Sequence, residues 1–182
     1  MSSVEEKMKV RTGKRTHTSN IWRSSWSAGY GAAGQILRQT GGKKIDAVIL
    51  LDSLHAGYKD GTSDVRGSQI DQFVTYAKDA AAGRKFMYLS HSSIVPPGYA
   101  STTEVAEYIV DELGGKLKKA SAKHIWGLKL IDKYDKSNLH VRGYTGDDKP
   151  DHCAHIGLIN DVMKNYLVSK WKTPAGKAAS KK

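Results

Sequence analysis

The chain has 182 residues, with 29 Lys and Arg against 18 Asp and Glu, a formal net charge of +11. Its length suits one domain with a buried core. A hydrophobic share of 39% excludes a disordered chain, and a single cysteine, Cys153, excludes an intrachain disulfide framework or an all-cysteine zinc site.

No apolar stretch reaches the roughly 18 residues of a membrane helix, and Met1 to Lys14 has no apolar core of the secretory-signal kind. No membrane span and a cytoplasmic location are therefore expected. The charge is concentrated at the ends. Residues 1–23 carry +4 and residues 164–182, with six lysines and no acid, carry +6, leaving +1 for residues 24–163. The chain divides accordingly into a basic N-terminal segment (1–19), a single α/β domain (20–170) and a basic flexible tail (171–182) rich in Ala, Ser and Lys. Weak polyanion contact through the two ends is expected.

In chain order, Ile21 to Trp26 is a short strand interrupted by Arg23 and serines, followed by a helix over Ala28 to Thr40. Ile45 to Leu51 is almost continuously apolar, which predicts a strand buried on both faces of a parallel sheet. Ser68 to Ala82 repeats apolar residues at helical spacing, and Lys85 to Leu89 is a third strand. Thr102 to Leu113 is a helix that opens on Ser101-Thr102-Thr103-Glu104, the pattern of a capping box. The hydrophilic Lys116 to Lys136 contains room for an extra strand, and Leu139 to Tyr144 is a fourth. Cys153 to Leu167 predicts a last amphipathic helix, with Ile156, Ile159, Val162, Met163 and Tyr166 on one side. Strands alternating with helices of this length predict an α/β fold, a small, mainly parallel sheet of about four strands with flanking helices.

Reactive groups in such sheets gather beyond the carboxyl ends of the strands. Those ends carry Ser25-Trp-Ser-Ala-Gly29, Asp52-Ser-Leu-His55, Ser90-His-Ser-Ser93 and Asp147-Asp-Lys-Pro-Asp-His-Cys-Ala-His155, so that four of the seven histidines meet at one edge.

The pentapeptide Ser25 to Gly29 resembles the nucleophile elbow of α/β-hydrolases, Gly-x-Ser-x-Gly, with Ser25 in place of the first glycine. Small flanking residues let strand turn sharply into helix and project the central hydroxyl. The resemblance implies Ser27 as nucleophile, Asp52 as the orienting acid and His152 as base, in the family's chain order. His155, Asp148 and His91 are the alternatives, Asp147 beside Asp148. The Ala28 amide is the implied oxyanion donor. The expected reaction is hydrolysis of a small-molecule ester or amide through an acyl-serine, with no cofactor and no metal. The resemblance covers about Ile21 to Leu167, the carboxyl-terminal half of that fold, because about five strands that precede the elbow in the family have no counterpart here. The first strand is then left with an open edge, to be covered by a homodimer contact or a partner chain.

Three other readings compete. His152-Cys153-x-His155 with Asp148, Asp151, His55 and His91 offers zinc-ligand types, though no zinc-hydrolase spacing. Gly29-Tyr-Gly-Ala-Ala-Gly34 followed 18 residues later by Asp52 has dinucleotide-motif spacing. The basic ends, with Trp171 between two lysines, suit a non-catalytic binding or structural module for an anionic polymer or larger assembly.

Overall fold

The computed structural model describes residues 2–15, 17–18, 20–123 and 126–168. The tail, 171–182, including Trp171, lies outside the described residues. The N-terminal segment begins with a helix, α1 (Ser2–Thr12).

Six strands form one mixed sheet: β1 (Trp22–Trp26), β2 (Ala47–Leu51), β3 (Phe86–Ser92), β4 (Lys118–Lys123), β5 (Lys129–Lys136) and β6 (Leu139–Tyr144), in the order β1-β2-β3-β6-β5-β4. The first four of that order are parallel; β5 and β4 are added antiparallel beyond β6. The expectation of about four strands is therefore corrected to six. The two additional strands come from the hydrophilic Lys116–Lys136 stretch, where exposed lysines hide the periodicity that burial would have imposed.

β2 and β3 are buried along their whole lengths, as a near-continuous apolar run requires. Val48 and Leu50 of β2 and Met87 and Leu89 of β3 point into one layer, with Leu37, Phe73 and Ile109 of α2 (Tyr30–Thr40), α3 (Asp71–Ala81) and α4 (Thr102–Asp111). Ile49, Phe86 and Tyr88 point into the other, beneath the carboxyl-terminal helices. The Ser101 side chain accepts from the Glu104 amide, and the Glu104 carboxylate accepts from the Ser101 amide, completing the capping box of α4.

The last helix departs from the expectation. It is broken into α5 (Lys149–Ala154), a 3-10 turn (His155–Gly157), α6 (Leu158–Val162) and a π-helical turn (Met163–Val168). Each break shifts the helical phase, so Leu158, Val162 and Leu167 are the fully buried apolar residues, and Ile156 is exposed. No helix among the described residues is long and apolar enough to cross a membrane.

Candidate active site

β1 ends at Trp26, and the chain turns at once into a 3-10 turn (Ser27–Gly29) that leads into α2. Ser27 has φ 54°, in the left-handed region that residues other than glycine seldom occupy. Gly29 has an ordinary φ of −60°, so its role is space: a Cβ there would stand 3.3 Å from the Cβ of Ser25. Both small residues of the pentapeptide are thus explained by close packing under the turn.

The residue that replaces the first glycine is itself bonded. Ser25 Oγ lies 3.1 Å from Ser53 Oγ, and Ser53 donates to the Ser27 carbonyl at 2.8 Å. With its proton so committed, Ser53 accepts from Ser25. Ser53 is completely buried. Because a peptide is planar and trans, fixing the Ser27 carbonyl aims the Ala28 N–H the opposite way, away from the β2 loop.

Asp52, at the end of β2, has φ 40°, and Leu54 has φ 91°. Such conformations cost on the order of 1–3 kcal/mol each, and the bonds of Asp52 hold its own. Its amide donates to Ser90 Oγ; its Oδ1 accepts from the Ser92 amide at 2.9 Å and from Thr102 Oγ1 at 2.8 Å. Its Oδ2 lies 2.7 Å from Nδ1 of His152. Burial opposes the charge of this carboxylate. The neighbouring His155 and the bonds from His152, Thr102 and Ser92 outweigh it, holding Asp52 below the usual carboxylate range.

An ionised Asp52 requires the His152 proton on Nδ1 and leaves Nε2 as the basic nitrogen. Asp148 caps α5, accepting from the Asp151 amide, and so sets the helix on which His152 stands. The Trp26 indole packs on the imidazole, centroids 4.8 Å apart, and its N–H donates to the His152 carbonyl at 3.0 Å. Carboxylate, indole and helix together fix the ring.

Ser27, Asp52 and His152 line one cleft of about 320 Å³, with His55, Tyr99 and Lys149 among its walls. Asp52 and His152 are in contact; the Ser27 hydroxyl shares their cleft and makes no hydrogen bond to His152. His55 Nδ1–H donates to the Ala100 carbonyl, and its ring meets Tyr99 edge-on.

Of the other candidates, the two histidines fall outside the cleft. His155 is buried, 2.8 Å from Ser90 Oγ, and supports the β3 end behind Asp52. His91 is buried against Thr103 Oγ1 and Asp132 Oδ1. Asp147 and Asp148 line the cleft. With Asp151 their carboxylate oxygens come within 4.8 Å of one another, but Asp148 and Asp151 accept from backbone amides of their own turn. The four histidines that a zinc site would draw on are each directed to different partners. The dinucleotide-like spacing also finds no matching geometry: Gly31 and Gly34 lie inside α2, and Asp52, 1% exposed, spends three bonds within the protein rather than facing a ribose.

Trp26, Ser53, Ser92 and Thr102 are the supporting residues that sequence reading did not assign to the site. Position at a strand end was the available signal for Trp26, Ser53 and Ser92; Thr102 was marked only as part of a helix start, and no local signal named the partners of Trp26 or Thr102. Comparison of the chain with family models, with curated proteins and with solved structures finds no match.

Proposed function

We propose that this cleft hydrolyses a small ester or amide through an acyl-serine on Ser27. The observation that carries the reading is the 2.7 Å contact of Asp52 with His152 in a cleft that Ser27 enters from a left-handed turn. Ser27 Oγ attacks the substrate carbonyl carbon while His152 Nε2 takes its proton. Asp52 keeps Nδ1–H in place and stabilises the imidazolium. The Ala28 amide donates to the oxyanion. As the tetrahedral intermediate collapses, Nε2 returns the proton to the departing alcohol or amine. A water molecule, deprotonated by the same nitrogen, then releases the acid and restores Ser27. The hydrogen bond between Ser27 and His152 closes when substrate is bound, since such bonds are commonly long in the free enzyme.

A cavity of this size suits a small acyl or alkoxy group, and Tyr99, Ile94 and Pro96 provide an apolar wall for it. Labelling with a fluorophosphonate probe tests the reading. The wild-type chain is expected to label and Ser27→Ala to remain unlabelled with an unchanged melting profile; labelling that persists in Ser27→Ala refutes it.

A further inference from the structure

β5 departs from a regular ladder at one place beside β6. Leu130 stands opposite Tyr144 and Asp132 opposite Gly143, so β5 advances two residues where β6 advances one, and Ile131 is the extra residue. In an unbroken strand Leu130 and Asp132 would lie on the same face. The bulge separates them. Leu130 packs into the layer beneath the carboxyl-terminal helices, and Asp132 turns to the opposite layer, where it meets His91. Bulges re-aim side chains in this way, often next to active sites. Here the bulge delivers a carboxylate to an imidazole that is completely buried.

The hydrogen bonds at His91 settle its proton count. Thr103 Oγ1 donates its single proton to the Ser92 carbonyl at 2.8 Å, so at 2.9 Å from His91 Nδ1 it accepts. Nδ1 therefore carries a proton. On the other side of the ring, Asp132 Oδ1 lies 3.0 Å from Nε2, and a carboxylate, with Lys119 across from it on β4, also accepts. Both ring nitrogens donate, which requires the imidazolium. A buried charge needs a paired counter-charge, and Asp132 supplies it; α4 meets the ring with the neutral Thr103 and β6 with Gly143.

This pair adjoins the supports of Asp52 on two elements at once. On β3, His91 enters the pair and the next amide, that of Ser92, donates to Asp52 Oδ1. On α4, Thr103 bonds the ring and the side chain before it, Thr102, donates to the same carboxylate oxygen. Thr103 also ties the two elements together through the Ser92 carbonyl. We propose that the buried His91–Asp132 ion pair positions the Asp52 carboxylate, by clamping the end of β3 and the start of α4 to β5. His91 is then a positioning residue that acts through Ser92 and Thr102. Its part in catalysis rests on the acyl-serine reading of the cleft.

Long-range nitrogen–proton NMR on the isotopically labelled full chain tests the clamp without a substrate. At neutral pH both His91 nitrogens are expected to be protonated, and His152 is expected to show a downfield Nδ1–H bonded to Asp52. Thr103→Val removes the acceptor of His91 Nδ1 and the tie to Ser92, and Thr103→Ser restores both. The His152 Nδ1–H resonance is expected to shift in Thr103→Val and to return in Thr103→Ser. Asp132→Asn, on the other side of the ring, is expected to cost His91 one proton and to shift the same His152 resonance. Fluorophosphonate labelling should slow by about 2- to 13-fold in Thr103→Val, the worth of one hydrogen bond, and recover in Thr103→Ser. An unprotonated nitrogen at His91 in the wild-type chain overturns the proposal, as does an unchanged His152 resonance in either folded variant. A wild-type chain that fails to label while these resonances behave as described overturns the acyl-serine reading instead and leaves the positioning of Asp52 standing.

Discussion

The hydroxyl of Ser53 donates to the backbone carbonyl of Ser27 across 2.8 Å, and that hydroxyl in turn accepts from Ser25. The buried relay ties the elbow to the loop that carries Asp52. It also accounts for the serine at the first position of the elbow, where the hydrolase pattern has glycine. Ser53→Ala leaves the Ser27 carbonyl without its donor, at a cost of about 1–3 kcal/mol. Fluorophosphonate labelling is expected to slow at least tenfold in a folded protein. Ser25→Gly removes only the outer link and should slow it less. Equal rates for both variants and wild type would show that the relay does not position the oxyanion donor.

Asp52→Asn removes the charge that sets the His152 tautomer, so labelling should fall by at least about 100-fold. The same group sets a pH dependence of stability. Its folded-state value lies below the ordinary carboxylate value. Its contribution is therefore complete above about pH 4 and is lost as pH falls through the lower, folded-state value. Melting curves of wild type and Asp52→Asn should differ near neutrality and converge as the solution is acidified below that point. A gap that widened on acidification would contradict the assignment.

Trp26→Phe preserves an aromatic ring beside His152 but deletes the N–H that reaches its carbonyl. One neutral hydrogen bond of about 0.5–1.5 kcal/mol corresponds to roughly 2- to 13-fold slower labelling. Trp26→Ala, which also removes the packing, should slow it further. Stopped-flow labelling of both variants gives the comparison.

Gly143, in β6, has no room for a methyl group. A Cβ there would stand 2.4 Å from both His91 and Asp132, which are bonded to each other and unable to withdraw independently. Gly143→Ala should destabilise the fold by about 1–3 kcal/mol, measured by urea denaturation.

How far these relationships are legible in sequence depends on the range over which they are decided. The Leu139–Tyr144 strand and the capping box of α4 were readable because burial and local hydrogen bonding write them into adjacent residues. That Ser27, Asp52 and His152 line one cleft was legible because strand ends are where an α/β sheet collects its polar groups. How the two imidazoles divide was not, since it rests on α5, which carries the His152 ring to Asp52, and on the 3-10 turn after it, which carries the His155 ring to Ser90. Trp26 and Thr102 act on groups 126 and 50 residues away. β4 and β5 were hidden for the opposite reason: β4 is the outer strand and both are largely exposed, so their lysines obey no burial pattern. The same strands falsify the impression of a neutral middle, because an average over 24–163 conceals where the fold sets its charges.

The placement of β1 at the margin of the sheet has a mechanical consequence. Asp52 is anchored to β3 and α4 in the interior of the fold, whereas Ser27 hangs from a strand paired on one side only. Outer strands fray more readily than inner ones. The compliance of the cleft therefore resides in Ser27, and the Asp52–His152 pair is the stationary half against which it moves.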